Sequence, residues 1–228
     1  MKKQTLIFAA SLFALATTFM SCEKSDKTVE TSQANVLVVH ASPDAPGVDL
    51  LVDSVKVNTA ALTFPSNTGY LKVNSGTRNI KVNVTGTTTT VINANLALTK
   101  DKSYSIFAVD SVANITPLVI EDDLTTPQSG KAHVRFIHLS PDAPAVDIAV
   151  ASTGAVVFGN KAFKEYTAFT PLDAGTYNLD VRVAGTSTVA LVLPSITLEA
   201  GKIYTVFAKG FLGGTGSTAL GAEIIVNK

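Results

Sequence analysis

The 228-residue sequence has one cysteine, no tryptophan and no excess of charge of either sign. With Cys22 as the single cysteine, neither an intrachain disulfide nor a cysteine-based metal site can form. The 18 basic and 18 acidic residues cancel, which argues against a nucleic-acid partner because such proteins carry a basic surface. No segment shows sustained helical periodicity with caps, and the frequent valine and threonine favour strands.

The amino terminus has the pattern of an export signal. A basic start is followed by an apolar stretch from Leu6 to Phe19 and then by small residues, as in secretory signal peptides. This stretch is shorter than the roughly 20 apolar residues that a membrane-spanning helix needs. The sequence therefore predicts a signal peptide over residues 1–21, followed by a polar, flexible tether over residues 22–33.

The segment Phe19-Met20-Ser21-Cys22 resembles the lipobox of bacterial lipoproteins, with phenylalanine where leucine is usual. The resemblance implies cleavage before Cys22 and lipidation of its thiol. Several acyl chains on one residue would anchor the protein stably, whereas a single chain binds marginally. The alternative is a plain secretory signal with an incidental free thiol. The acidic stretch after Cys22 resembles signals that send lipoproteins to the outer face of the outer membrane.

A heptapeptide occurs twice and defines an internal repeat. His40-Ala41-Ser42-Pro43-Asp44-Ala45-Pro46 corresponds to His138-Leu139-Ser140-Pro141-Asp142-Ala143-Pro144, 98 positions later (138 minus 40). Its prolines exclude a helix and its aspartate favours a turn. A repeat near 100 residues matches a duplicated small domain. We therefore expect a first repeat over residues 34–121, a linker over 122–131 and a second repeat over 132–228.

Each repeat has the pattern of short alternating strands joined by turns. The segment from Leu198 to Val206, with Gly201 and Tyr204 before an alternating strand, resembles the tyrosine corner of immunoglobulin-like sandwiches; Tyr104 repeats it. The run from Val36 to Ala41 is apolar at nearly every position, which predicts a strand buried on both faces. The predicted fold is all-β, with two tandem immunoglobulin-like antiparallel β-sandwich domains.

The repeated heptapeptide, the following Val-Asp strands and the Gly201/Tyr204 strand together resemble domain-of-unknown-function family 4397. The resemblance covers nearly all of residues 34–228 and is stronger in the second repeat. It implies exported β-sandwich modules of bacterial envelopes, often in tandem and often on lipoproteins. The family has no established activity, so the resemblance concerns architecture and location.

Polar residues repeated at the heptapeptides are the candidate ligand site. One interpretation is a rim that binds a cation or a polar ligand through imidazole and carboxylate groups. The other is structural, with the histidine bonded to backbone and the first aspartate capping the turn. The candidate rim residues are His40, Asp44, Asp49, His138, Asp142 and Asp147.

Two other chemistries receive less support from the sequence. A hydrolase built on Ser42 and His40 would lack a nucleophile elbow, and proline after the serine removes a backbone donor. A glycan or peptide platform would need exposed aromatic residues. Tyr70, Tyr166 and Phe169 are its candidates, with strand packing as the alternative.

The sequence thus predicts a non-catalytic, lipid-anchored protein of the cell envelope, at the outer membrane, with no cofactor. Its expected role is structural or adhesive. Expected partners are the membrane, through the lipid on Cys22, and an envelope protein or a glycan. The alternative function is a metal- or small-ligand-binding module that uses the repeated heptapeptide.

Overall fold

A computed structural model describes residues 32–228, which form two successive eight-stranded units. The first unit contains β1 (Gln33–Ala41), β2 (Val48–Val52), β3 (Val55–Lys56), β4 (Asn67–Asn74), β5 (Gly76–Val84), β6 (Thr90–Leu98), β7 (Ser103–Val109) and β8 (Thr116–Asp122). The second contains β9 (Lys131–His138), β10 (Val146–Val150), β11 (Val156–Lys161), β12 (Thr170–Asp173), β13 (Gly175–Val183), β14 (Val189–Leu198), β15 (Ile203–Lys209) and β16 (Gly221–Val226).

Each unit is a sandwich of two four-stranded sheets. The sheets of the first have the orders β4-β1-β7-β8 and β3-β2-β5-β6; those of the second have the orders β12-β9-β15-β16 and β11-β10-β13-β14. The prediction of two tandem all-β sandwiches is therefore confirmed. The pairings between named strands are antiparallel except β1 with β7 and β9 with β15, which are parallel. Within residues 32–228, no helix has the length and apolar character needed to cross a membrane.

Local signals in the sequence form the expected turns. The phenol oxygen of Tyr104 accepts the Thr99 N–H at 3.2 Å, and that of Tyr204 accepts the Glu199 N–H at 3.1 Å. Both tyrosines thus bond back to the backbone five residues upstream, which is the corner that their spacing predicts. Gly86 closes the turn after β5 with φ of 73°, a conformation that a residue with a Cβ rarely adopts.

Strand β1 is buried on both faces from Val36 onward. Val36 and Val38 pack into the core between the two sheets of the first sandwich. The alternate residues Leu37 and Val39 belong to a different apolar cluster, which also contains Ile137 of the second sandwich. The continuous apolar run therefore has a simple cause, because one face of β1 fills its own sandwich and the other face contacts the neighbouring one.

An apolar interface joins the two sandwiches through the sheets that contain β1 and β9. Phe107 on β7 and Phe207 on β15 lie at its centre, with their rings edge to face and their centroids 6.1 Å apart. Both rings are fully buried. The remaining buried members are Leu37, Val39, Ala41, Val109, Ile120, Ile137, Leu139 and Ile225.

A salt bridge lies within this interface, between Asp122 at the end of β8 and Arg135 on β9. The Arg135 Nη1 donates to Asp122 Oδ1 at 2.6 Å, and the Arg135 and Asp122 side chains are 2% and 0% exposed, respectively. The Arg135 guanidinium also lies 4.5 Å from the centre of the Phe169 ring. Buried charges are expensive unless paired and hydrogen-bonded, so the remaining polar atoms need partners.

Those partners form a closed ring of hydrogen bonds. Arg135 Nε donates to Thr205 Oγ1 at 2.8 Å, Thr205 donates to Asn227 Oδ1 at 2.7 Å, and Asn227 Nδ2 donates to the Tyr70 hydroxyl at 3.1 Å. Tyr70 donates to Asp122 Oδ2 at 2.5 Å, which completes the ring. Burial, with the Asp122 carboxylate nearby, raises the pKa of Tyr70, so this phenol stays a donor at neutral pH.

Ser105 crosses the ring. Its hydroxyl accepts from Arg135 Nη2 at 2.9 Å and donates to Asp122 Oδ2 at 2.7 Å. The first sandwich thus supplies Tyr70, Ser105 and Asp122, and the second supplies Arg135 together with Thr205 and Asn227. The hydrogen bonds from Arg135 to Asp122 and Ser105, and from Asn227 to Tyr70, cross from one sandwich to the other. These bonds therefore fix how the sandwiches dock.

The ring occupies corresponding positions of the two repeats, but its charges do not repeat. Leu37 lies opposite Ser105 in the first repeat, and Arg135 lies opposite Thr205 in the second, so leucine and arginine are counterparts. Asp122 pairs with Ser103, the first residue of β7, and Asn227 bonds to Ile203, the first residue of β15. Asp122 and Asn227 are therefore counterparts. The first repeat thus carries the anion, Asp122, and the second repeat carries the cation, Arg135.

Replacing Arg135 by its counterpart tests the value of the salt bridge. We expect Arg135→Leu to lower the free energy of unfolding by about 3–5 kcal/mol, because the Asp122 carboxylate would remain buried without a cation. The double variant Arg135→Leu/Asp122→Asn removes both charges and should recover most of that loss. Urea unfolding of Arg135→Leu, Asp122→Asn and the double variant measures the coupling energy between the two residues. If the losses of the two single variants simply added in the double variant, the salt bridge would have no such role.

Candidate functional site

The two heptapeptides connect β1 to β2 and β9 to β10, and thus carry the chain from one sheet of each sandwich to the other. We call each of them a histidine corner: residues 40–46 in the first sandwich and residues 138–144 in the second. A turn lies at Pro43–Asp44 and again at Pro141–Asp142. The prolines therefore act as the sequence predicts, since they hold a strand, a turn and a second strand in a fixed direction.

The histidine side chain closes each corner. The Nε2 of His40 donates to the Pro46 carbonyl oxygen at 3.0 Å, and the Nε2 of His138 donates to the Pro144 carbonyl oxygen at the same distance. Both imidazoles are essentially inaccessible, at 1% and 0% exposure. Each bond spans the corner from its first residue to its last, so the imidazole fastens the two ends of the loop together.

The buried histidines favour the neutral imidazole. Desolvation lowers the pKa of His40 and of His138, and the bonds to Pro46 and Pro144 offset part of that shift. The Glu165 carboxylate also favours the charged form of His138. The Nδ1 atoms of both rings are buried without a hydrogen-bond partner within residues 32–228.

The first aspartate of each corner binds the loop between the last two strands of its own sandwich. Asp44 Oδ1 accepts the Val112 N–H, and Asp142 Oδ1 accepts the Leu212 N–H, both at 2.8 Å. In the second corner, the Ser140 hydroxyl also donates to the Gly210 carbonyl at 2.7 Å. The corner thus holds the β7–β8 or β15–β16 loop against the end of its sandwich.

The second aspartate of each repeat binds other turns. Asp49 Oδ1 lies 2.8 Å from Lys56 Nζ, and the hydrogen bond from this lysine is the main reason that the pKa of Asp49 is lowered. Asp147 accepts the Asn160 N–H at 2.6 Å through Oδ1 and the Gly185 N–H at 2.8 Å through Oδ2. Both carboxylates therefore hold the turns at the edge of the second sheet.

The six candidate rim residues thus have six separate sets of partners. Within residues 32–228, no group of three or more histidine, aspartate and glutamate side chains is placed to hold a metal ion. The two histidines are buried inside their corners rather than exposed at a rim. This geometry favours a structural interpretation of the corner over the ligand-rim interpretation. The aspartate's structural part differs from the expected turn cap, because Asp44 and Asp142 bind loops about 70 residues further along the chain.

Comparison with family models supplies the relationship of this chain to known proteins. Residues 34–149 and 150–227 each match the model of a family described as "Domain of unknown function (DUF4397)". The chain belongs to the DUF4397 family. The division between the matched segments falls within β10 (Val146–Val150), so the first match includes the start of the second sandwich. The chain matches none of the curated proteins.

The ring residues of this DUF4397 chain are the ones that the sequence analysis missed as a group. Arg135 stands out as a charge within the apolar run from Val134 to Leu139, but nothing in the pattern identifies its partner. Asp122 lies in the segment predicted as linker, because it stands in a polar run, yet it ends β8 and is buried. Of the three candidate platform aromatics, Tyr70 and Phe169 lie in the interface, and Tyr166 is 44% exposed.

Cys22, the signal peptide over residues 1–21 and the tether up to residue 31 lie outside the described residues. The last predicted tether residue, Gln33, is the first residue of β1.

The buried histidines predict a pH dependence of stability. Because their pKa values are lowered in the folded state, the unfolded state binds more protons below about pH 6.5. We therefore expect the free energy of unfolding to be highest, as far as these histidines are concerned, above pH 6.5. It should fall as the pH drops below this value, by up to about 1.4 kcal/mol per pH unit for each histidine.

The measurement is urea unfolding between pH 7.5 and 5, with wild-type protein, His138→Gln and His40→Gln/His138→Gln. Glutamine keeps an N–H donor for the proline carbonyl but does not titrate in this range. The single variant should lose part of the wild-type slope and the double variant more. Equal slopes for all three proteins would show that the corner histidines do not control acid stability.

Proposed function

We propose that this DUF4397 chain is a non-catalytic, lipid-anchored protein of the cell envelope, held at the outer membrane, whose paired sandwiches act as one structural or adhesive unit. The observation that carries the proposal is the use of the repeated polar residues. His40 and His138 fasten their corners, and Asp44 and Asp142 bind neighbouring loops. These groups serve the fold, and the remaining two candidate rim residues, Asp49 and Asp147, likewise bond to neighbouring residues of their own sandwich.

The docked interface supports a structural or adhesive role. The Arg135–Asp122 bridge and the apolar cluster around Phe107 and Phe207 join the sandwiches into a single compact unit over residues 31–228. A rigid pair transmits force and presents a fixed surface better than two modules on a free linker. Tyr166 offers an exposed aromatic side chain on that surface, and tyrosine is frequent at binding hot spots.

Support for the anchor comes from the sequence. The apolar stretch before Cys22, the small residues beside it and the absence of any other cysteine all fit a lipidation site. Ten residues separate Cys22 from Gln33, and a fully extended chain of that length spans about 35 Å at most. The sandwiches would therefore stay near the membrane surface.

Lipidation is tested with full-length protein in a bacterial host supplied with an alkyne-tagged palmitate. We expect the wild-type chain to take up the label and to sediment with membranes, because multiple acyl chains hold a protein stably. Cys22→Ser should take up no label and should appear in the soluble fraction; Ser21→Ala, which keeps the thiol, is the matched control. Membrane retention of unlabelled Cys22→Ser would contradict anchoring through this residue.

The adhesive role is tested by incubating residues 23–228 with an array of envelope glycans and with immobilised envelope proteins. We expect saturable binding that Tyr166→Ala weakens about tenfold, since an exposed hot-spot aromatic contributes about 1–2 kcal/mol. Val55→Ala removes an exposed side chain from the first sandwich and should leave binding unchanged. A protein that binds neither set would leave only the structural role.

A further inference from the structure

The second sandwich contains an apolar cavity of about 90 Å³ beside its histidine corner. Its walls come from His138 and Val181, from Ala190 and Leu191 on β14, and from Leu212 and Leu220 in the β15–β16 loop, among others. No aspartate, glutamate, lysine or arginine lines it. A water molecule needs about 10–15 Å³ on such a scale, so the space suits a molecule of about six heavy atoms.

A second apolar cavity of about 40 Å³ continues along the same strands. Where Val181 and Leu191 line the larger cavity, Leu179 and Leu193 line the smaller one. These residues are two positions apart along their strands, so they point to the same face and lie about 6.5–7 Å from each other. The two cavities therefore lie one after the other along β13 and β14, an arrangement that suits a linear molecule better than a broad ring.

The first sandwich carries larger side chains at two corresponding positions. Because Val82 pairs with Ile92 as Val181 pairs with Leu191, the counterpart of Ala190 is Val91. Val91 packs against the first core. Thr116, which pairs with Val109, likewise corresponds to Gly221, which pairs with Lys209 and lines the larger cavity. The smaller side chains at these two positions leave space at the cavity wall of the second sandwich.

The entrance to the larger cavity is apolar as well. Leu212 lines the cavity and is 51% exposed, and Ala190 is exposed on the edge strand β14. The Leu212 N–H is fixed by Asp142 of the corner, so the loop at the entrance is held in place. The Ser140 hydroxyl already donates to Gly210, while His138 retains one buried acceptor, Nδ1, without a partner.

We propose that the second sandwich binds a small, neutral, linear aliphatic molecule in this cavity. Apolar walls stabilise an alkyl chain by removing it from water. An ionised ligand is excluded because the walls offer no opposite charge, and burial of an unpaired charge is costly. A neutral hydroxyl group can stay at the entrance beside the half-exposed Leu212, so it is not buried without a partner. The site goes beyond the structural or adhesive role and does not depend on it.

The test uses residues 23–228, which contain every strand of both sandwiches, labelled with ¹³C at valine and leucine methyl groups. We expect titration with 1-pentanol to shift the methyl resonances of Val181 and Leu191 saturably. The methyl resonances of the counterpart Val82 in the first sandwich should not shift. Sodium pentanoate at the same concentrations should produce no saturable shift, because its carboxylate would be buried without a partner.

Variants taken from the chain itself provide the control. Ala190→Val restores the first repeat's residue and should weaken pentanol binding about tenfold by filling the cavity. Val91→Ala makes the reverse change in the first sandwich and should leave binding at Leu191 unaltered. Circular dichroism and thermal unfolding establish that each variant is folded. Absence of a saturable shift, equal shifts in both sandwiches, or equally tight binding of pentanoate would overturn the proposal.

Discussion

Arg135 and Asp122 meet inside an apolar interface, where their charges are separated from water by aromatic and aliphatic side chains. A charge in such a place is tolerated only if it is paired and if its remaining hydrogen-bonding atoms are satisfied. Tyr70, Ser105, Thr205 and Asn227 meet that second condition. The docking of the sandwiches is therefore restricted to the arrangement in which all of these groups find one another, and β1 and β9 are buried on both faces as a result.

The histidine corner applies a similar principle at a smaller scale. Its backbone turns sharply between two sheets, and a turn of this kind exposes carbonyl and amide groups that no strand can satisfy. The imidazole bonds one of them, and the aspartate bonds an amide of the adjacent loop. A histidine near an aspartate and a serine resembles a reactive site in the sequence, yet here the histidine and the aspartate of each corner, and Ser140 in the second corner, bond to backbone groups.

The features that sequence reasoning predicted are those whose cause is local. Proline in the corner and tyrosine five residues after its backbone partner each act within a few residues of the chain. The apolar run of β1 likewise predicted burial on both faces. The Arg135–Asp122 pair could not be predicted, because its geometry depends on how two complete sandwiches dock, and the polar run around Asp122 is typical of an exposed linker. The cavity was equally hidden, since it depends on the volume difference between Val91 and Ala190.

The unequal division of charge between the repeats has a consequence for self-association. Two copies of the first sandwich, docked face to face through the same sheet, would set Asp122 against Leu37 and trap two anions with no counterion. Two copies of the second would confine two guanidinium groups in the same way. Only the pairing of a first sandwich with a second one brings together opposite charges. The sequence differences between the repeats therefore disfavour the association of two identical sandwiches through this sheet.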